Sequence, residues 1–226
     1  MNSNCYEVKS NSEYGRYCVT TRDIKAGEVI LEDTPVIVGP KPDSIITCLS
    51  CYSPLTDESS DNNRCPVCKW PLCKKCAESS STDHKNECEV FSKNKVTFQN
   101  VDDPSAICLQ LDCITPLRLL LAKEADPDRW NAEIECMEHH EAVRRDSKYW
   151  QADGVNIVNY LRGPCKLSRF SEDLIQQIIG LLEVNCFEAR TKSGTSVRCL
   201  YPNLGVFAHS CIPNTAHSIY PSDNYR

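Results

Sequence analysis

The chain has no run approaching the roughly 18 apolar residues needed to cross a membrane as a helix. Its first residues, MNSNCYEVKS, lack the apolar stretch of a secretory leader. Long basic runs are missing as well. With 25 Lys and Arg against 31 Asp and Glu, the formal charge is −6. That is the wrong sign for duplex DNA, whose affinity comes mainly from cations that neutralise phosphates. These absences argue against a membrane protein, a secreted protein and a direct duplex nucleic-acid binder. They point to an intracellular protein of a reducing compartment with protein partners. No basic import run is present to choose nucleus over cytoplasm.

What is present is cysteine, 16 residues in a chain of 226. Seven of them, with one histidine, fall within 41 residues: Cys48, Cys51, Cys65, Cys68, Cys73, Cys76, His84 and Cys88. They read as CxxC, CxxC, CxxC and HxxxC. A structural zinc site takes four tetrahedral N or S ligands, and a CxxC turn delivers two thiolates to one ion. Eight ligands predict two zinc ions. A disulfide framework needs an oxidising compartment, and a redox pair accounts for one CxxC but not for linked pairs. A four-thiolate site carries −2 and a three-thiolate, one-histidine site −1, which takes the formal charge from −6 to −9 with both ions bound. Five basic residues face six acidic ones within 48–88, so the module lacks the basic footprint of a nucleic-acid finger. The remaining nine cysteines are scattered, most among apolar neighbours, and read as small buried hydrophobes.

Around this module the periodicity changes twice. CYEVK, RYCVTT, EVILE and PVIV are short, rich in β-branched residues and separated by turn signals, which predicts strands between 5 and 38. Residues 56–63 and 79–82 are polar and predict surface loops. From about 104 to 184 the pattern is helical. Thr115 and Pro116 predict an N-cap and first-turn proline, and Asp126 and Pro127 repeat the device. Trp130, Ile134 and Met137 share one helix face. VNIVNYL predicts a short helix, and Ser171 caps EDLIQQIIGLLE. His139 and His140 fall on the polar face and read as solvated. VRCLYP and SIYP predict strands near the end, and the turn-type residues after them predict a hairpin that continues past 226. From these patterns alone the fold class is α+β with a two-zinc module.

Three blocks carry a family resemblance: YGRYCVTTRDIKAGEVILEDTPVIVGP, the eight ligands, and NCFEARTKSGTSVRCLYPNLGVFAHSCIPNTAHS. In this order they resemble the SET and MYND domain-containing proteins, a SMYD-like family of protein-lysine methyltransferases, and most of all its arthropod branch. The resemblance implies a split SET-type β fold: a SET segment at 1–47, a MYND-type zinc finger at 48–88, a helical insert at 89–184 and a SET core segment at 185–226. It implies alternating metal sets, with Cys48, Cys51, Cys73 and Cys76 on one ion and Cys65, Cys68, His84 and Cys88 on the other. The spacing departs from the family at Cys73 and Cys76, separated by two residues where three are usual.

The resemblance also implies an S-adenosylmethionine site built from Gly15, Arg16, Tyr17, Asn185, Ala208 and His209. Tyr17 stands where the family has a second glycine, and Ala208 where it has Asn. Losing that carboxamide removes a contact worth roughly 0.5–1.5 kcal/mol, which predicts weakened cofactor binding. The family's further strand, acidic turn, lysine-channel Tyr and third-zinc cysteines have no match up to residue 226, so the catalytic residues are unassigned and the resemblance implies more chain. Two functions follow as expectations. One is a lysine methyltransferase acting in transcriptional regulation on a lysine-bearing protein substrate. The other is a non-catalytic zinc-dependent scaffold or co-regulator whose finger docks Pro-containing peptides. A zinc-only fold without ligand is a third.

Overall fold

The structure is a computed structural model that describes residues 5–55, 63–79, 83–99, 101–221 and 225. The loops expected at 56–63 and 79–82, and the turn after 221, fall largely outside these residues. A two-stranded hairpin comes first. β1 (Tyr6–Asn11) pairs antiparallel with β2 (Gly15–Thr20). The Asn11 carboxamide oxygen closes the turn by accepting from Glu13 N at 3.0 Å and Tyr14 N at 2.7 Å, the local bonding that favours Asn in turns. A second sheet is assembled from distant segments. β3 (Ile37–Pro40) pairs with the strand Ser196–Leu200, which pairs in turn with Cys186–Arg190; all partners are antiparallel.

Between the strands lie α1 (Lys74–Ala77), α2 (Lys85–Asn94), α3 (Ile114–Ala125), α4 (Pro127–Arg129) with a π-helical turn Trp130–Ile134, α5 (Glu141–Arg144), α6 (Lys148–Asp153) with a π-helical turn Gly154–Val158, α7 (Asn159–Arg162) and α8 (Glu172–Asn185). The last two strands are then β4 (Cys186–Arg190) and β5 (Ser196–Leu200). Two caps form as the sequence predicts: Asp126 accepts from Arg129 N at 2.9 Å, and Ser171 accepts from Leu174 N at 3.1 Å. Trp130, Ile134 and Met137 are buried together, as are Ile175, Ile178, Ile179 and Leu182 of α8. Among the described residues no helix is long and apolar enough to cross a membrane.

Three expectations need correction. EVILE (28–32) forms no strand: no neighbouring edge is offered to it, Val29 is exposed, and β-propensity without a partner strand does not hold an extended segment. SIYP (218–221) is irregular for the same reason; SVRCL pairs instead with β3 and with CFEAR, the strand β4. Thr115 does not cap α3. A 3₁₀ turn, Leu109–Cys113, runs directly into the helix and leaves no free helix end there. The Thr115 hydroxyl instead donates to Pro40 O at 2.9 Å, tying α3 to β3.

Helix α3 is the centre of the molecule. Ile114 to Leu120 are all buried, and the helix packs against β3, α2 and α8. A helix that is apolar all round belongs in a core. Its residues join one continuous cluster with Trp70 and Phe91 of the cysteine-rich module, the α8 stripe and Leu200 of β5. Trp70 stacks on Phe91 with ring centroids 4.0 Å apart and donates its indole N–H to Val96 O at 2.9 Å. The module therefore shares the core of the rest of the chain.

The contact between α3 and β3 leaves no room for a side chain at Gly39. A Cβ there would overlap the Thr115 hydroxyl and lie 3.0 Å from Thr115 Cβ. Gly39→Ala should cost about 1–3 kcal/mol of stability, measured by urea unfolding. Thr115→Ala in the same chain should recover part of that loss. An unchanged unfolding midpoint for Gly39→Ala would show that the two elements are not packed this closely.

Candidate metal centres and cofactor region

The eight ligands converge in two groups: Cys48, Cys51, Cys73 and Cys76, and Cys65, Cys68, His84 and Cys88. Within each group the ligand atoms lie within 4.8 Å of one another. Local turns deliver them. Tyr52 N donates to Cys48 O at 2.9 Å and Lys69 N to Cys65 O at 3.0 Å, folding each CxxC back on itself. Tyr52 and Lys69 adopt φ of 59° and 67° to close those turns. Cys73 precedes α1 and His84 precedes α2, so each short helix carries the last ligand of its group, Cys76 or Cys88.

The spacing fits zinc. Two sulfurs at about 2.3 Å from one tetrahedral ion lie about 3.8 Å apart. Cys51 and Cys73 Sγ are 3.8 Å apart, and Cys65 and Cys88 Sγ 3.7 Å. A disulfide needs about 2.05 Å, and all 16 cysteines are free thiols. The arrangement also separates the thiols by acidity. Hydrogen bonding from Cys48 pulls the Cys51 thiol down to about 4, while burial pushes Cys76 up to about 11 and raises Cys68 and Cys88. The two clusters fit two zinc ions.

Beneath the second cluster lies a buried polar network that the sequence reading passed over. His84 presents Nε2 to Cys68 Sγ at 3.1 Å and Nδ1 to Glu87 Oε1 at 3.1 Å. Glu87 is fully buried and is clasped by the Arg118 guanidinium, whose Nε donates to Oε1 at 3.0 Å and whose Nη2 makes a second bond. Arg118 also donates to Leu49 O at 2.6 Å, Val38 O at 2.7 Å and the Tyr52 hydroxyl at 2.6 Å. Burial alone would push the Glu87 carboxyl up; the neighbouring Arg118 and His84 hold it below its ordinary value. One signal was available: Arg118 is a charge inside the apolar run PLRLLLA, where a cation is kept only with a partner.

The expected cofactor residues are placed unevenly. Gly15 takes φ +65° at the start of β2. Arg16 donates to Glu133 O at 3.1 Å, and Asn185 donates to Glu138 O and Leu181 O, each at 2.8 Å. Residues 16 and 185 thus pin the same stretch, 133–138, beside an open hollow of about 580 Å³ lined from Glu138 to Arg145. Tyr17 turns to its own hairpin, edge-on to Tyr14 at 5.9 Å with its hydroxyl 3.4 Å from Asn11 Nδ2. Ala208, His209 and Cys211 are exposed, so the AHSC loop is not a buried core turn. His209 Nε2 lies 3.4 Å from Cys211 Sγ, a contact within the loop. His139 and His140, expected on a helix's polar face, lie instead in the link before α5, because the helical turn ends at Ile134; His140 is exposed and His139 half-buried.

No family model matches the chain. It is similar to the SET domain-containing protein SmydA-8 of Drosophila melanogaster. With isoform A it shares 27% identity over 223 residues, covering 94% of this chain and 44% of the relative. With isoform B it shares 28% over 231 residues, covering 94% and 45%. Over nearly its whole length the chain thus resembles SMYD-like proteins. It is also 22% identical over 230 residues to the histone-lysine N-methyltransferase ASHR1 of Arabidopsis thaliana, covering 95% of this chain and 44% of that protein. The chain spans about 44% of the length of the curated relatives it matches.

The chain should purify with two zinc ions, read by metal analysis, and Cys48→Ser and Cys65→Ser should each lose one. A structural zinc contributes about 10–16 kcal/mol of apparent binding free energy, as much as a whole domain's stability of about 5–15 kcal/mol. Chelation should therefore unfold the module, with Trp70 fluorescence as the readout. Fewer than one zinc per chain would overturn the assignment.

Proposed function

We propose that the chain forms part of an S-adenosylmethionine-dependent protein-lysine N-methyltransferase acting in transcriptional regulation inside the cell. The reading rests on one observation above the others: similarity extends through 94% of the chain to proteins named for a SET domain, and through 95% to one named a histone-lysine methyltransferase. Residues 1–47 and 185–226 are then two segments of a split SET fold, with a MYND-type finger at 48–88 and a helical insert at 89–184 between them.

The geometry near 133–138 is compatible with a cofactor. S-adenosylmethionine, when bound, supplies an electrophilic methyl group. Gly15 lets the backbone approach, and Arg16 holds the adjacent segment through Glu133 O. Asn185 commits its amide hydrogens to Glu138 O and Leu181 O, which leaves its carboxamide oxygen to receive a donor such as an ammonium. Ala208 and His209, exposed on their loop, would close the other side. The lysine-bearing substrate is a protein, and the finger would dock Pro-containing segments of partners.

A second reading, a zinc-dependent protein-binding scaffold without catalysis, is favoured by Tyr17 and Ala208, which replace a glycine and an asparagine in the cofactor loops. Calorimetry with S-adenosylmethionine on the natural protein separates the two. Saturable binding is expected, weakened about tenfold by Asn185→Ala and tightened severalfold by Ala208→Asn. No binding at saturating cofactor would sink the methyltransferase reading. Capture of Pro-containing peptides that Cys65→Ser abolishes and Ala208→Asn leaves intact would then support the scaffold.

A further inference from the structure

We propose that Arg118 is a positioning residue for the metal in the Cys65, Cys68, His84, Cys88 cluster, so that retention of that ion depends on the docking of α3. The inference is independent of methyl transfer and rests on zinc occupying the cluster.

A histidine ligand binds metal through one ring nitrogen and needs its proton on the other. His84 faces the thiolates with Nε2 and Glu87 with Nδ1. Glu87 therefore selects the Nδ1–H tautomer and the ring orientation, the role that carboxylates beside metal-bound histidines commonly serve. Glu87 lies in α2, in the same turn as its histidine, and is fully buried. Arg118 holds its Oε1 through both Nε and Nη2, while Oε2 has no hydrogen-bond partner among the described residues.

Arg118 is itself fully committed. A guanidinium has five N–H groups. Two go to Glu87, one to Leu49 O, one to Val38 O and one to the Tyr52 hydroxyl, which also donates to Val38 O at 3.0 Å. Leu49 follows Cys48 and Tyr52 follows Cys51, both ligands of the other cluster. Val38 is in β3 and Arg118 in α3. One side chain thus joins the His84 site to the four-cysteine site, to the strand and to the central helix. A lysine has three donors on one atom and cannot make this set.

The test separates positioning from bulk stability. Arg118→Met leaves a buried carboxylate without its cation. Glu87→Leu combined with Arg118→Met leaves no buried charge, and apolar replacement of a buried pair commonly preserves the fold. Each zinc-loaded protein would be mixed with a chromogenic chelator, and the ¹⁵N signals of the His84 imidazole recorded. In the natural chain, two zinc ions and a single Nδ1–H tautomer are expected. In both variants one zinc should leave about 10–100-fold faster, and the double variant should show mixed tautomers or ring exchange. A double variant with the natural release rate and a single tautomer would overturn the proposal, because Arg118 would then only fill space. Should the double variant not fold, Tyr52→Phe carries the test: it removes one acceptor of Arg118, and the same zinc should leave severalfold faster, an unchanged rate again overturning the proposal. A natural chain with fewer than two zinc ions removes its basis.

Discussion

A tetrahedral ion dictates how far apart its ligands can be, and the thiols of this protein stand at that separation. Sulfurs 3.7 and 3.8 Å apart are spaced as two ligands of one such ion and are too far apart for disulfides. Because the two groups interleave along the chain, closing either one ties residue 48 to residue 76 or residue 65 to residue 88. A module of this size has little apolar area of its own. Trp70 and Phe91 enter the same core as α3 and α8, and zinc in the two clusters it fits would supply folding free energy that burial there does not.

The shared core has one charged intruder. Taking Glu87 and Arg118 out of water costs several kcal/mol per ion before any interaction repays it. The five-fold bonding of Arg118, which reaches the first CxxC turn through Leu49 O and the Tyr52 hydroxyl, is what makes that placement tolerable. The pair therefore works against stability unless every partner is in place, which makes it a device for specifying one docking geometry. The same logic explains why Gly39 and Thr115 meet so closely: β3 has to approach α3 near enough for Arg118 to reach Val38 O.

On the other side of the molecule the expected cofactor residues are tied down to different degrees. Arg16 and Asn185, 169 positions apart in sequence, hold between them the end of a π-helical turn and the link that follows it. The AHSC loop instead lies in the open, and Tyr17 has turned back to its hairpin. Half of the arrangement is thus built by main-chain carbonyl contacts, which tolerate side-chain substitution elsewhere. Of the two expected cofactor positions where the chain departs from the pattern it resembles, Ala208 is exposed and Tyr17 is half-buried in β2.

The metal ligands were legible in the sequence because a CxxC turn is local, and its chemistry can be read from four letters. The caps at Asp126 and Ser171 and the α8 stripe were legible for the same reason, since each depends on neighbours within four residues. EVILE, CFEAR and Thr115 were not, because a strand exists only if another edge arrives to pair with it and a cap only if the helix end is free. Sequence by itself determined an α+β chain with eight thiol and imidazole ligands. Only the tertiary structure decided that Glu87 and Arg118 meet beneath His84, because a buried charge is stable solely where partners from distant segments converge, and that convergence is a property of the packed core.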